Sequence, residues 1–275
     1  MAAKPAGAWR LVTLAAMITA FAGAAFYSWS VRREADVIED RPVQAQDVAL
    51  PPICRQVLHE GTAYFACEVD PARLAIQLHH SSPGGAPYGS LDGYLAAEAQ
   101  AGRAPLIAMN AGMYHEDLSP VGLYVEEGRE TAALNLDDAP GNFFLKPNGV
   151  FFISVEGKAG VMESQAFLES GFEVRLATQS GPMLVIDGAI HPKFLPDGTS
   201  RYIRNGVGVK PDGTVVLAIS RSPVSLGAFA RAFRDGFGCP DALFLDGGIS
   251  AFAANGKPLI GGKDKAGPIL SVSGK

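Results

Sequence analysis

Asp241-Ala242-Leu243-Phe244-Leu245-Asp246-Gly247-Gly248-Ile249-Ser250 is an apolar strand that delivers one carboxylate to a turn without side-chain bulk. Two glycines after Asp246 let a ligand approach the backbone while a carboxylate and a hydroxyl point at it. The same residues also suit an ordinary strand-end turn, with Asp246 as its cap and glycine at positive φ. Three other segments combine small residues with polar groups at a predicted strand end. They are Asn110-Ala111-Gly112-Met113-Tyr114, Gln179-Ser180-Gly181-Pro182 leading into Met183–Gly188, and Arg204-Asn205-Gly206-Val207-Gly208-Val209.

The surrounding pattern is one of short strands. Thr62–Val69 and Arg73–His79 alternate and are split by Asp70-Pro71-Ala72, which predicts a hairpin between them. Further strands are expected at Pro105–Met109, Gly122–Glu126, Thr131–Leu136, Val150–Val155, Glu173–Ala177, Met183–Ile186, Gly206–Lys210 and Val215–Ser220. Helices are expected at Leu91–Ala101 behind Ser90, at Glu163–Ser170, and at Leu226–Phe237 behind Ser225. In the last, Phe229, Phe233 and Phe237 form a stripe that reads as core packing. This is not regular βαβα alternation. It predicts an α+β fold around a mixed, largely antiparallel sheet with a few flanking helices.

The chain has 275 residues, a net charge of -5 and 19% charged residues. It carries no basic stripe, which argues against a nucleic-acid partner. Lys4 and Arg10 precede an uncharged stretch, Leu11–Val31, that Arg32, Arg33 and Glu34 close. Such a length can span a bilayer. Residues 1–33 therefore read as a signal peptide, with small-residue sites around Ala20–Ala24, or as an uncleaved signal anchor framed by Trp9, Tyr27 and Trp29. Residues 34–52 read as a linker and 53–275 as the domain. Export places that domain in the periplasm or outside the cell, with the inner membrane as a partner if residues 11–31 stay attached. Cys54 and Cys67 could pair in an oxidising compartment, which would leave Cys239 a buried or free thiol, although pairing with Cys239 stays open by sequence. No Cys/His spacing matches a zinc site, and nothing in the chain calls for a metal or cofactor.

In their order and separations the four turn motifs resemble the phosphodiester glycosidase family. That resemblance runs over roughly residues 55 to 272, with departures at Ala111, at Gln179-Ser180 and at Asn205-Gly206. Gly141-Asn142-Phe143 and Lys146-Pro147-Asn148-Gly149-Val150-Phe151 are similar to a bacterial subgroup. The resemblance implies a hydrolase cleaving a glycosyl phosphodiester, a sugar-1-phosphate ester, in the cell envelope. The alternative is a non-catalytic envelope protein that binds a glycan or phosphoglycan through the same pocket. The implied catalytic set is Asp246 as main carboxylate, Arg204 as phosphate clamp and Asn110 as a hydrogen-bonding group.

Substrate contacts are expected from Gly112, Tyr114, Ser180, Gly181, Asn205, Gly247, Gly248 and Ser250. Tyr114 offers a ring to a sugar face, and the two serines offer hydroxyls to phosphate oxygens. Backbone N–H groups at Gly181, Gly206, Gly247 and Gly248 offer an anion nest. A guanidinium provides planar bidentate donors, and Arg201 rivals Arg204 for that task. The usual glycosidase scheme needs a second carboxylate. Asp187, Glu116, Asp117 and Glu126 are the candidates. His79, His80 and His115 are weaker acid–base candidates, His115 foremost.

Overall fold

The computed structural model describes residues 49–246 and 248–275. The expected export segment, most of the linker and Gly247 lie outside them. Among the described residues no helix is long and apolar enough to cross a membrane.

Three sheets make the domain, with strands numbered in chain order. The first runs β1 (Cys54–His59), β2 (Thr62–Val69), β13 (Val215–Ser220), β12 (Asn205–Val209), β14 (Asp241–Phe244), β10 (Met183–Ile186) and β11 (Ala189–Ile190). The second runs β16 (Lys257–Ile260), β15 (Phe252–Ala254), β4 (Ile107–Asn110), β17 (Ile269–Gly274) and β3 (Leu74–His79). The third runs β6 (Arg129–Ala132), β5 (Tyr124–Glu126), β9 (Val174–Ser180), β7 (Gly149–Ser154) and β8 (Ala159–Glu163). Every ladder among the described strands is antiparallel, so the expectation of a mixed sheet is corrected.

Strand alternation sorts the core into layers. Val215, Leu217 and Ile219 of β13 face a core shared with Ile107, Phe151, Leu176 and Val272 of the other sheets. Val216 and Ala218 face the opposite way, toward the phenylalanine stripe. A strand buried on both faces needs apolar residues at every position, which explains the unbroken Val215–Ile219 run. Phe229, Phe233 and Phe237 meet edge to face at 5.2 and 5.3 Å. Burying each ring contributes roughly 2–3 kcal/mol.

That stripe shapes the helix beneath it. Helices α1 (Leu91–Gln100), α2 (Ser164–Ser170) and α3 (Leu226–Arg231) start where expected, capped by the side chains of Ser90, Glu163 and Ser225. But α3 passes into a wider π turn, Ala232–Gly236, where a continuous α-helix to Phe237 was expected. On an α-helix, residues four apart drift by about 40° around the axis. The wider turn returns Phe237 to the face of Phe233 and Tyr64. Gly206 and Gly208 are the matching hollows in β12. A Cβ at Gly208 would stand 2.8 Å from the Phe233 ring, and one at Gly206 2.8 Å from the Leu243 carbonyl. Gly206 therefore packs under the stripe within a ladder and is not part of an anion nest.

The expected β2–β3 hairpin does not form. β2 pairs with β1 through the tight turn Glu60-Gly61, both at positive φ (47° and 76°), and with β13 on its other edge. Asp70 turns the chain away from the sheet: its carbonyl accepts from Arg73 and Leu74, and its Oδ1 from Ala72. β3 then joins the second sheet beside β17. Cys54 and Cys67 stand directly opposite in the β1–β2 ladder and form the disulfide. Cys239 is a free, buried thiol, and burial pushes its pKa up to about 12.

Candidate active site

The four turn motifs come together at strand ends, through hydrogen bonds that link each motif to others. β4 ends at Asn110, β12 begins at Asn205, and their side chains meet. Asn205 Nδ2 donates to the Asn110 carbonyl (2.9 Å) and to Asn110 Oδ1 (3.0 Å). Asn110 Oδ1 also accepts from Ala251 N (2.8 Å), while Asn110 Nδ2 donates to the Asp246 carbonyl (3.2 Å). The Ser250 hydroxyl lies 2.9 Å from Ile203 O, 3.2 Å from Asp246 O and 3.3 Å from Asn205 Oδ1. Ser180 Oγ donates to the Leu245 carbonyl, and Gly112 N donates to Thr178 Oγ1. A buried polar group needs such partners, since each unmet one costs about 1–3 kcal/mol.

The hub dictates what the side chains of Asn110, Asn205, Ser180 and Ser250 can do. Both Asn205 N–H bonds and the Asn110 carbonyl oxygen are engaged inside the protein, and Asn110 and Asn205 are buried. These residues hold the turn that follows β14. Gly112 and Gly181 are there for close approach: a Cβ would lie 2.4 Å from the carbonyl of Gln179 or of Phe143, respectively. Gly248 N donates to Asp246 Oδ1 at 2.9 Å, so Asp246 does cap its own turn. Gly247 lies outside the described residues.

The Asp246 carboxyl is raised above the ordinary aspartate range by burial, which the Gly248 N–H only partly offsets. Its electrostatic neighbour is Tyr114. The Tyr114 hydroxyl donates to the Lys265 carbonyl. Burial, and then the charges of Asp246 and Asp264, push its pKa up to about 12. Asp264 sits in the loop before β17 and carries no strand-end signature, so sequence reasoning passed over it. The nearby Gly261-Gly262 pair was the available clue.

Arg204 precedes β12 and is 2% exposed, whereas Arg201 is exposed. Nε donates to the Val224 carbonyl (2.8 Å) and Nη2 to the Ser200 carbonyl (3.1 Å). The guanidinium also lies over the Phe244 and Tyr202 rings, 5.2 and 5.4 Å from their centroids. No carboxylate pairs with it among the described residues, and burial lowers its pKa to about 10. It lines a cavity of about 240 Å³ together with Lys193, Ser200 and Ser225. Asp246 is not among that cavity's walls, and the two charged groups form no ion pair.

The other acidic candidates have local tasks. Asp117 Oδ1 accepts from Ser119 N and Oγ, and Asp187 occupies the positive-φ turn between β10 and β11. Glu116 and His115 are exposed. Glu126 accepts from the Tyr124 hydroxyl and lines a different cavity. Gln179 is a residue whose role only the structure reveals. Its Oε1 accepts from Leu123 N and Asn135 N, and its Nε2 donates to Asn135 O and Ser164 Oγ. It latches the segments on either side of the third sheet to the second motif.

A profile of the phosphodiester glycosidase family matches residues 104–267. Escherichia coli (strain K12) YigE, an uncharacterised protein, is 37% identical over 185 residues, covering 67% of this chain and 72% of its own. The catalytic domain of zebrafish N-acetylglucosamine-1-phosphodiester alpha-N-acetylglucosaminidase has a similar fold. Its TM-score is 0.58 at 14% identity, with 82% of this chain and 85% of that one covered. A hypothetical protein from Synechocystis aligns with a TM-score of 0.51 at 13% identity, covering 81% and 61%. At such identities these two structures speak for the fold alone. Motif order, fold and family profile agree, and the chain belongs to the phosphodiester glycosidase family, which supports a hydrolase role.

Proposed function

We propose that the protein hydrolyses a glycosyl phosphodiester. Water's oxygen bonds to the anomeric carbon, the bond from that carbon to the phosphate oxygen breaks, and the phosphate leaves as a monoester. The observation that carries this reading is the convergence of the four motifs on a half-buried Asp246 whose carboxyl is raised. A carboxyl held above its usual range keeps its proton closer to neutral pH and suits acid–base exchange. Asn110, Asn205 and Ser250 position it, Tyr114 lies beside it, and Asp264, whose charge also acts on Tyr114, is the second carboxylate of this reading. Ser180, Gly112 and Gly181 support the neighbouring turn.

Arg204 is the anion-holding group in this reading. Its Nη1 makes no hydrogen bond among the described residues, and a phosphate would replace the missing counter-charge. The name of the zebrafish enzyme supports a sugar linked through a phosphodiester as the substrate class. An envelope location is supported by the uncharged stretch at 11–31 and by the Cys54–Cys67 disulfide, a bond typical of oxidising compartments. The test is release of free sugar from a panel of sugar-1-phosphodiesters. Saturable binding without release would replace hydrolysis by glycan binding, and neither would defeat the reading. A fusion of residues 1–50 to a reporter active only after export tests the location.

A further inference from the structure

Two neighbouring cavities of about 610 and 580 Å³ lie along β3, the edge strand of the second sheet. Both volumes are in the range of ligand sites. They share His79, Tyr88 and Glu127 in their walls, and neither contains Asp246 or Arg204. One extends past Glu126 and Arg129, the other past Glu98 and Arg103.

The polar groups here are held in place. His79 Nε2 is 2.8 Å from Ser271 Oγ, and its ring stacks on Tyr94 at 4.7 Å. Tyr88 stands edge-on to the same Tyr94 ring at 5.2 Å, so its orientation is set. Arg103 donates to both oxygens of Glu98, at 2.5 and 2.8 Å. The Tyr124 hydroxyl donates to Glu126 at 3.0 Å, and no basic side chain pairs with Glu126 among the described residues. Burial raises the Glu126 carboxyl.

We propose that this double cavity is a cleft for a neutral glycan chain, separate from the site at Asp246. Carboxylates and guanidinium groups offer planar pairs of acceptors and donors to sugar hydroxyls, and Tyr88 offers a ring. Glu98, Glu126 and Glu127 line the cleft together with Arg103 and Arg129, so neither sign dominates as a polyanion or polycation would require. Two cavities in series suit a chain better than a single sugar. The cleft is also tied to the loop bearing Tyr114. His80, in the wall of the larger cavity, lies with Nε2 2.9 Å from the Leu118 carbonyl, which can only accept, so Nε2 carries the proton. The choice of a glycan rests on the hydrolase reading; the location of the cleft does not.

The experiment is calorimetric titration of the full chain with chito-, cello- and maltohexaose, beside oligogalacturonate as an anionic control. Turnover of a small aryl phosphodiester of a sugar is followed in parallel. The expected result is saturable binding of at least one neutral chain, weakened about tenfold or more by Tyr88→Ala and by Glu126→Gln. Turnover of the small substrate stays at wild-type level. Glu127→Gln, at an exposed position, serves where Tyr88→Ala fails to fold. Absence of binding, binding that none of these variants weakens, or tighter binding of oligogalacturonate overturns the proposal. Loss of small-substrate turnover in a folded variant also overturns it. A wild-type protein that turns over no small phosphodiester but binds the hexaose would defeat the hydrolase reading and leave the cleft standing.

Discussion

Asn205 donates both hydrogens of its amide to Asn110, one to the carbonyl at 2.9 Å and one to the side-chain oxygen at 3.0 Å, across 95 residues of sequence. This clamp joins the end of a strand in one sheet to the start of a strand in another. It makes the Asp246 turn a property of two sheets at once.

Asn205→Ala should therefore cost about 1–3 kcal/mol by leaving buried acceptors unmet. Asn205→Asp should cost more, although it is nearly isosteric, because it sets a carboxylate oxygen against two acceptors on Asn110. Urea midpoints of the two variants give the order. A more stable Asp variant would mean that the amide orientation is reversed.

Asp246→Asn should abolish sugar release and leave the domain folded, since an amide oxygen can still accept from Gly248 N. The pH dependence has a definite sign. The folded carboxyl is raised, so the folded state favours its neutral form. The stabilisation is complete below the ordinary aspartate pKa and is lost as pH rises through the folded value. Asp246→Asn should melt higher than wild type at neutral pH, and this gain should vanish below pH ~4. A constant difference across that range would remove Asp246 from a strained, functional position.

Arg204→Lys should weaken anion binding by about 1–3 kcal/mol, because a point charge cannot replace a planar donor set. The readout without turnover is thermal. Inorganic phosphate should raise the melting temperature of the wild type and have little effect on Arg204→Lys. Equal shifts in both proteins would place the anion elsewhere.

The cysteine pairing predicts a thiol count. The native protein should react slowly with a thiol reagent, because Cys239 is buried and its pKa stands at about 12. Unfolding without reductant should expose one thiol, and reduction all three. Replacing both Cys54 and Cys67 by serine should cost about 3 kcal/mol. Three thiols after unfolding without reductant would show that the pair is open.

Alternation, caps and turn residues were enough to locate most strands and all three helix starts, because these are local preferences of contiguous residues. The order of the four motifs was enough to point to the family. Partner choice was not legible. Thr62–Val69 and Arg73–His79 look like a hairpin, yet their partners are Cys54–His59 and Ile269–Gly274, and only the competition among all strands for edges decides that. The π turn at Ala232–Gly236 follows from the ring that Phe237 must meet, Tyr64, far away in the chain. Asn110, Gly112, Ser180 and Asn205 stood out by sequence as groups for a ligand. Burial assigned them instead to one another, since a buried amide or hydroxyl must find its partners inside the protein. Asp246 was legible from its own turn. Its raised carboxyl, the nearness of Tyr114, and the absence of a carboxylate beside Arg204 among the described residues come from distances between segments, and these only the folded chain determines.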